Sequence, residues 1–480
     1  MRMLRLTLEC RVPLHCGSGQ DDFSQDQPVV RDAFGFWRIP GSTLAGILRH
    51  HAARLAPEEL VDRLFGVQKG KSSHPSLVWC ADGRLLDFDG CFASAKAMDG
   101  EAVEIPCGPF IRDHVRIDLE LGAAETGGKF DEEITPTGTR FALEIALDGW
   151  NRHIQDDEGE LFDALSQALI QGELALGGKA GSGYGRYTVV EASCRDFDLS
   201  DPKGMEAYLN LSAGPGFGEN EGVPHEYANS LLAPAGPGLW GEVTLPLQVM
   251  GPLLVAGPGG EDSTADITCL HAPVLDYAGR TCRQVKVVPG TSFKGVLRHR
   301  VYHIARALGL DPSTAEDMLN GMFGFVDGLH GQCGKISLGD ACLETATRRV
   351  GVTRVQHVAI DRFTGGALEG ALYDEEPIWA DGLKLDARLS IEGLEDHEAA
   401  LLLHALLDMA EGMLPVGGGT NRGNGVLALR HWDTDRAQAL RGVKGELTWN
   451  GNALFPGTEQ SWLDWIETLN AALWARVQAS

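Results

Sequence analysis

The sequence Ile39-Pro-Gly-Ser-Thr-Leu-Ala-Gly-Ile-Leu-Arg-His50 occurs twice in this chain, the second time as Val288-Pro-Gly-Thr-Ser-Phe-Lys-Gly-Val-Leu-Arg-His299. Six of the twelve positions are identical. Three further matches follow in the same order: Leu64-Phe-Gly66 with Met322-Phe-Gly324, His114-Val-Arg-Ile-Asp118 with His357-Val-Ala-Ile-Asp361, and 177–185 with 417–425. Self-similarity at a fixed long period indicates duplicated units, so the four collinear matches predict two homologous domains in tandem.

The repeat also predicts where the domains begin and end. We predict a first domain at 1–198, a linker at 199–239, a second domain at 240–432 and a tail at 433–480. The predicted linker is rich in Pro and Gly and lacks sustained periodicity, which is typical of linkers. In the tail, apolar residues at helical spacing over 460–477 predict a helix that packs on this chain or on a partner.

Charge and composition restrict the function only weakly. The chain of 480 residues has 41 Lys+Arg and 67 Asp+Glu, a net charge of -26, whereas a free-standing nucleic-acid binder is usually basic. Binding depends on the local field at the phosphates, and the stretch Tyr277 to Leu310 carries only basic charges. The acidic stretch Lys129-Phe-Asp-Glu-Glu133 is interpreted as part of a solvated loop.

Targeting and metal signals are missing from the sequence. No run of about 18 apolar residues predicts a membrane span, and the N-terminus lacks a signal-peptide pattern. The ten cysteines are scattered without a CxxC pair, which argues against a zinc site. We therefore expect a cytoplasmic protein with no membrane contact.

The repeated Pro-Gly element predicts a helix start. Ser42 is a good N-cap residue, and the free N–H groups of a helix N-terminus bind phosphate readily. Arg49, and in the second domain Lys294 and Arg298, add positive charge there, so Ser42 and these three cations are candidate RNA contacts. A plain strand–turn–helix connection is the structural alternative.

Two glycine clusters, at 177–185 and 417–425, precede predicted strands. Clustered glycines let the backbone approach a ligand and expose N–H groups, so Arg186 and Arg422 are candidate phosphate contacts. Neither cluster has the Walker pattern or a dinucleotide fingerprint. The alternative is a tight structural turn.

Together these elements resemble the RAMP superfamily of CRISPR-associated proteins. The nearest likeness is to the Cas-seven-type (Csm/Cmr-like) backbone subunits of type III effector complexes, and two such domains in one chain are similar to the fused backbone proteins of type III-D systems. The segments that carry this likeness are Asp26-Gln-Pro-Val-Val-Arg-Asp32 and Arg354-Val-Gln-His-Val-Ala-Ile-Asp-Arg-Phe-Thr-Gly-Gly-Ala367. The resemblance implies an α+β chain of two tandem ferredoxin-like (RRM-like) RAMP domains with inserted thumb hairpins.

The resemblance also implies a function. Such subunits bind a CRISPR guide RNA beside other effector subunits (a large subunit, further backbone subunits and small subunits), and their thumbs splay the duplex formed with target RNA. A loop aspartate then promotes cleavage of target RNA with Mg²⁺ or another divalent cation, the RNA supplying its own 2′-OH as nucleophile.

Residue by residue, the resemblance assigns this catalytic and metal-binding aspartate to Asp26. In the second domain the position counted back from Pro273 is His271, and the nearest acid is Asp266. We rank Asp266 first as the catalytic and metal-binding residue. His271 acting as a base or contacting RNA, and a second domain that only binds, stay open.

The thumb regions supply further candidate RNA contacts. These are Arg112, Arg116, Arg354, His357 and Arg362, and surface salt bridges with neighbouring acids are the alternative. Two other functions also stay open: a guide-RNA scaffold that does not cut, and a stand-alone RNA-processing endonuclease of the same superfamily. No local cluster of His, Tyr and Lys supports the last strongly.

Overall fold

The structure is a computed structural model. It describes residues 1–19, 26–68, 73–93, 105, 107–149, 152–227, 237–257, 265–327, 330–343, 350–380, 383–429, 444–449, 452–453 and 459–479.

The first half of the chain alternates strands and helices. Its elements are β1 (Arg2–Cys10), β2 (Arg38–Ile39), α1 (Gly41–Leu55), α2 (Glu58–Phe65), β3 (Val78–Cys80), β4 (Gly83–Leu85), β5 (Ile111–Ile117), β6 (Ala124–Glu133), β7 (Arg140–Leu147), α3 (Asp156–Gln171), β8 (Tyr187–Asp196), α4 (Pro202–Leu209) and β9 (Val223–Pro224).

The second half repeats much of this order. Its elements are β10 (Leu239–Val249), β11 (Pro252–Leu253), β12 (Ala256–Gly257), β13 (Ile267–Cys269), β14 (His271–Asp276), β15 (Thr281–Val288), α5 (Gly290–Ala307), α6 (Pro312–Phe323), β16 (Gly324–Asp327), β17 (His330–Cys333), β18 (Ile336–Leu338), β19 (Ala341–Cys342), β20 (Val350–Val352), β21 (Val355–Ile360), β22 (Ala367–Glu376), β23 (Ile378–Ala380), β24 (Lys384–Leu394), α7 (Asp396–Ala410), β25 (Leu427–Leu429), β26 (Lys444–Trp449), β27 (Asn452–Ala453) and α8 (Glu459–Ala479).

Each half is built on one main sheet. In the first, the strand order is β2-β4-β7-β1-β8-β9, with β3 also paired to β7. In the second, the order is β18-β24-β10-β26-β27, with β25 also paired to β10. The opening strands β1 and β10 are therefore central in both sheets, and their neighbours β7 and β24 run antiparallel to them.

Helices cover these sheets because their apolar residues recur at helical spacing. Leu44 and Leu48 of α1 are buried in one core with Leu4 of β1. Phe293 and Leu297 of α5 take the same place in the other core. The chain thus has the mixed α and β architecture that we expected, with one main hydrophobic core in each half. The first core also includes Leu275 and Tyr277 of the second half.

The repeated Pro-Gly element has a packing reason. A Cβ on Gly41 would lie 2.3 Å from the carbonyl oxygen of Cys80, and one on Gly290 would lie 1.8 Å from a carbonyl oxygen of β18. The helix start therefore presses against backbone, which only glycine allows. Pro40 is the N-cap of α1, and Ser42 lies exposed within its first turn. The prediction that Ser42 caps this helix is therefore wrong.

The described parts of the segments predicted as linker and tail contain helices and strands. Residues 199–239 contain α4 and β9, and β9 pairs with β8. In the tail, β26 pairs with β10, and α8 buries Trp465, Leu469 and Leu473 in the second core. The tail helix thus packs on its own chain, and none of the described helices is long and apolar enough to cross a membrane.

Polar contacts connect the two halves at an interface, called the joint below, that includes Arg112, Asp340 and Tyr277. Arg112, 2% exposed, forms an ion pair with Asp340 of the second half at 2.7 Å. The hydroxyl of Tyr277 donates to the carbonyl oxygen of Leu86 at 2.7 Å and accepts from the N–H of Arg140 at 3.1 Å. These buried contacts fix the halves relative to each other.

Candidate nucleic-acid interface

Two antiparallel hairpins have matching register: the first hairpin, β5 with β6, and the second hairpin, β21 with β22. His114 faces Phe130 in the first, and His357 faces Tyr373 in the second. Both rings stack, with centroids 5.1 Å apart in each case. The two hairpins are therefore structural copies.

Large apolar side chains lie exposed on both hairpins. On the first these are Ile111, Val115, Ile117 and Leu121; on the second they are Val358, Ile360, Phe363, Leu368 and Leu372. Phe363, 93% exposed, is the extreme case. A concentration of exposed apolar side chains marks an interaction surface.

A loop aspartate is held at the base of each hairpin by two hydrogen bonds in opposite directions. The N–H of Asp26 donates to Oδ1 of Asp131 at 2.9 Å, and the N–H of Asp131 donates to Oδ2 of Asp26 at 3.1 Å. In the second half, the N–H of Asp266 donates to Asp374 Oδ1 at 2.8 Å, and the N–H of Asp374 donates to Asp266 Oδ2 at 3.0 Å. Asp26 and Asp266 thus occupy equivalent, exposed places.

This pairing bears on the choice between Asp266 and His271. His271 lies in β14 opposite Lys286, not in the paired loop position. Burial, and then Lys286, lowers its pKa, which favours a neutral ring. The geometry makes Asp266 the counterpart of Asp26.

A buried glutamate anchors the base of the first hairpin. Glu132, 1% exposed, accepts from Nε2 of His114 at 2.7 Å and from the hydroxyl of Tyr184 at 2.6 Å. It also forms an ion pair with Lys179 of the first glycine cluster. The stretch Lys129 to Glu133 belongs to β6 and buries both Glu132 and Glu133, so its interpretation as a solvated loop is wrong.

The second hairpin repeats this anchor with different partners. Glu375, 4% exposed, accepts from Nε2 of His357 at 3.0 Å and forms an ion pair with Arg422 of the second glycine cluster. Arg422 also donates to the hydroxyl of Tyr373 at 3.3 Å. Each glycine cluster therefore carries a cation that is used to fix its hairpin, and Arg422 and His357 are engaged within the protein.

Burial shifts the protonation of this anchor. It lowers the pKa of His114 to about 4, so the ring is neutral at physiological pH. It also lowers the pKa of Lys179 to about 8. Desolvation disfavours the charged form of both groups.

At the N-termini of α1 and α5, a backbone N–H group already donates to an aspartate carboxylate. The N–H of Gly41 donates to Asp82 Oδ1 at 2.8 Å, and the N–H of Gly290 donates to Asp340 Oδ1 at 2.9 Å. A phosphate at either helix N-terminus would meet this negative charge. The predicted phosphate site at the helix start is therefore disfavoured in both halves.

The cations predicted at these starts also have protein partners. Arg49 pairs with Asp62 at 2.6 Å, and Arg298 donates to Asn320 Oδ1 at 3.1 Å. Lys294 donates to the carbonyl oxygen of Gly181 across the joint, and burial lowers its pKa to about 8.

Arg186 and Arg112 also make contacts across the joint. Arg186 donates to the carbonyl oxygen of Glu173 at 2.9 Å and lies 3.4 Å from Glu392 of the second half. Arg112 is buried against Asp340 and has no surface to offer an RNA phosphate. Its prediction as an RNA contact is corrected to a structural role.

Two of the predicted RNA-contact cations lie exposed on the hairpins. Arg116 is 69% exposed and 3.7 Å from Glu125, and Arg362 is exposed next to Phe363. Arg354 instead pairs with Asp374, its Nε at 2.7 Å from Oδ2. Arg116 and Arg362 therefore stay as candidate RNA contacts from the predicted set.

A loop aspartate can supply one oxygen ligand to a divalent cation. Among the described residues, no group of three or more His, Cys, Asp or Glu side chains could hold a metal ion. The carboxylate of Asp26 nevertheless lies exposed on its loop, and Mg²⁺ at phosphoryl sites is commonly held by one or two carboxylates plus substrate phosphate. Residues 20–25 and 258–264, which precede the two loop aspartates, lie outside the described residues.

Sequence reasoning missed the hairpin carboxylates Asp131, Glu132, Asp374 and Glu375. A signal was present: Phe130-Asp-Glu-Glu133 is repeated as Tyr373-Asp-Glu-Glu376. The two copies are as far apart along the chain as His114 and His357, so aligning the hairpins on their histidines would have found them.

A protein-family model matches both halves of the chain. The model of the RAMP superfamily matches residues 7–188 and 270–428, one region in each half, and together these cover most of the chain. The chain belongs to the RAMP superfamily. The recognition of this family from the repeated motifs is confirmed.

One curated relative of this RAMP chain is the CRISPR system Cmr endoribonuclease Cmr4 of Pyrococcus furiosus. The two are 26% identical over 183 residues, which is 36% of this chain. The match spans 59% of the relative's own length. The similarity of this RAMP protein to a protein named as an endoribonuclease thus covers only part of each chain.

Proposed function

We propose that this protein is a guide-RNA-binding backbone subunit of a type III CRISPR effector complex. In this role it cleaves complementary target RNA, with Asp26 and Asp266 as the catalytic residues. One observation carries the proposal. Both loop aspartates lie at the base of an apolar hairpin and are fixed by the same reciprocal hydrogen bonds to Asp131 and Asp374. Each half thus combines an exposed apolar hairpin with a carboxylate beside it.

The sheet order supports the expected domain type. In the first half, β1, α1, β4, β7, α3 and β8 follow in the order βαββαβ, and their strands lie side by side as β4-β7-β1-β8. A ferredoxin-like domain has this order. We therefore assign a ferredoxin-like core with an inserted thumb hairpin, β5/β6, to the first half, and the corresponding core with β21/β22 to the second.

The chemistry asks little of the protein beyond position. The 2′-OH of the target RNA loses its proton to water as its oxygen attacks the adjacent phosphorus. The P–O5′ bond breaks, the 5′-oxygen of the next nucleotide takes up a proton from water, and a 2′,3′-cyclic phosphate remains. The apolar hairpins hold the nucleotides apart, and Asp26 or Asp266 is held beside the opened backbone. A divalent cation, when bound, stabilises the charge that develops on the phosphate. Positioning of the reacting atoms supplies much of the rate.

The partners follow from the same assignment. The relative Cmr4 is named as part of a CRISPR Cmr system, and we extend this membership to the present chain. Its partners are then a CRISPR guide RNA, a target RNA and other effector subunits. The exposed Arg116 and Arg362 are the hairpin cations that contact RNA phosphates in this account.

A cut-mapping experiment tests the proposal. The effector complex is assembled with the wild-type chain, with Asp26→Ala and with Asp266→Ala, and end-labelled complementary RNA and Mg²⁺ are added. Each substitution is expected to remove one distinct cut while guide RNA stays bound. Unchanged cutting in both variants, with each assembled normally, would overturn the assignment.

A non-cutting second half is the competing candidate, and one contact favours it. Oδ2 of Asp374 accepts from Arg354, so the second carboxylate pair carries a cation of its own. The first half has Ile111 where the second has Arg354. If Asp266→Ala leaves all cuts in place while Asp26→Ala removes one, the second half serves as a scaffold.

A further inference from the structure

We propose that Asp131 and Asp374 are positioning residues, each holding the loop aspartate of its own half in the orientation that cleavage needs. This inference rests on the proposed function and adds one residue to each site. It comes from a contact that the chain makes twice, each time between residues more than a hundred positions apart.

The two hydrogen bonds of each pair fix different parts of the loop aspartate. The bond from the N–H of Asp26 to Asp131 holds the backbone of the loop, and the bond from the N–H of Asp131 to Asp26 Oδ2 holds its side chain. Among the described residues, the N–H of Asp131 donates to Oδ2 of Asp26 and none donates to its Oδ1. A flexible carboxylate would lose rotational freedom on every turnover, whereas this one is ordered beforehand.

The contact is conserved between the halves although the loops are not. Asp26 is followed by Gln-Pro, whereas Asp266 is followed by Ile-Thr, and Asp266 lies farther from the next proline. Both loop aspartates are nevertheless exposed. In the first half these hydrogen bonds are exposed and contribute little to folding stability, so stability alone gives a weak reason to keep the pair there. In the second half Asp374 is 8% exposed.

In the second half, the hydrogen-bonding role of Asp374 can be distinguished from the effect of its negative charge. Arg354 occupies Oδ2 of Asp374, and the hydrogen bond from the Asp266 N–H together with this contact lowers the pKa of Asp374. The carboxylate is thus ionised but already paired with a cation. Its Oδ1 still accepts from the N–H of Asp266. What the two halves share is the hydrogen bond at Oδ1, not an unpaired negative charge.

The test uses Ala and Asn substitutions in the assembled complex. In Asp131→Ala the acceptor is lost, whereas in Asp131→Asn a side-chain carbonyl oxygen still accepts the Asp26 N–H. The matched control is Asp113→Ala, because Asp113 lies opposite Asp131 in the hairpin and pairs with Lys129 at 3.1 Å without reaching Asp26. Asp26→Ala is run beside them to test the proposed function itself.

Three readouts are taken for each variant: the rate of the cut that depends on Asp26, the KM for target RNA, and hydrogen–deuterium exchange of the peptide that contains Asp26. Asp131→Ala is expected to lower kcat for that cut by about tenfold to a hundredfold with KM unchanged, and to speed exchange at Asp26. Asp131→Asn and Asp113→Ala are expected to stay near wild type. Asp374→Ala and Asp374→Asn are expected to act in the same way on the other cut.

Two results would overturn the inference. One is full activity of Asp131→Ala while Asp26→Ala abolishes the cut; this leaves the proposed function standing and removes only the positioning role. The other is an equal loss in Asp131→Asn and Asp131→Ala, which assigns the effect to charge. If Asp26→Ala itself changes nothing, the proposed function fails, and the exchange measurement still reports whether Asp131 orders the loop.

Discussion

Replacing Arg112 by Ala tests the joint between the two halves. The guanidinium is 2% exposed, its ion pair with Asp340 is 2.7 Å long, and it donates to the hydroxyl of Tyr184 at 3.2 Å. Removing one partner of a buried ion pair leaves the other charge uncompensated, which costs about 3–5 kcal/mol. The free energy of unfolding is therefore expected to fall by about that amount, a large share of the stability of a typical domain.

Urea unfolding at equilibrium measures this change, and the chain offers a matched control. Arg116 lies in the same strand, but it is 69% exposed and 3.7 Å from Glu125. Exposed ion pairs contribute about 0–1 kcal/mol, so Arg116→Ala is expected to stay within about 1 kcal/mol of wild type. Equal effects of the two substitutions would refute the reasoning.

A double-mutant cycle then isolates the pair. Asp340→Asn removes the charge but keeps the acceptor for the Gly290 N–H, which Asp340 Oδ1 now binds. Because Arg112→Met leaves Asp340 charged and unpaired, Asp340→Asn should cost less in that background than in wild type. A coupling free energy of about 1–3 kcal/mol is expected; additive effects would contradict a direct ion pair.

Three further predictions concern other parts of the molecule. In the folded protein the pKa of His114 is lowered from 6.5 to about 4, so the free energy of unfolding should fall as pH is lowered from 6.5 to 4. His114→Gln should make this pH dependence less steep in unfolding experiments, and an unchanged pH dependence would contradict the buried, neutral His114. Gly290→Ala should destabilise the protein strongly because the new Cβ would lie 1.8 Å from a carbonyl oxygen. In the same helix, the Cβ of Gly295→Ala would have no atom within 4 Å, so that variant should be more stable by about 0.5–1 kcal/mol. A higher unfolding temperature for Gly290→Ala than for Gly295→Ala would contradict the packing argument. Phe363→Ala, at a side chain 93% exposed, should leave the unfolding transition in place but weaken target-RNA binding by the assembled complex in a filter-binding assay, and equal affinity would remove Phe363 from the interface.

Much of the fold followed from the sequence because the duplication is visible there. The Pro-Gly helix starts at Gly41 and Gly290 repeat, and the packing of each glycine against backbone explains why this motif survived in both copies. The tail helix was predictable because its apolar residues recur at helical spacing and so share one face, and Trp465 and Leu469 of that face are buried.

The helix inside the predicted linker was missed for a physical reason. Its high Pro and Gly content suggested an irregular segment, yet Asp201 caps α4 by accepting from the N–H groups of Lys203 and Gly204, and Pro202 occupies the first turn. An aspartate followed by proline is a recognised start signal. Composition outweighed this local signal in our prediction.

The candidate site was predicted only in part. Asp26 and Asp266 were singled out through the family resemblance, and the hairpin acids that hold them were not, because an acidic stretch is indistinguishable from solvated loop until its strand pairing is known. The buried place of Glu132 depends on partners far away in sequence, such as Tyr184. Likewise, Arg112 reads as a surface cation in the sequence, and only the packing of one half on the other makes it a buried contact.

The most direct test of the central claim is to map the cuts made in one complementary RNA by complexes that differ only in this subunit. Wild type is expected to make two cuts that the double variant Asp26→Ala/Asp266→Ala loses together, with guide RNA still bound and with 2′,3′-cyclic phosphate ends on the wild-type fragments. An unchanged cut pattern in an intact complex that contains the double variant would contradict the account.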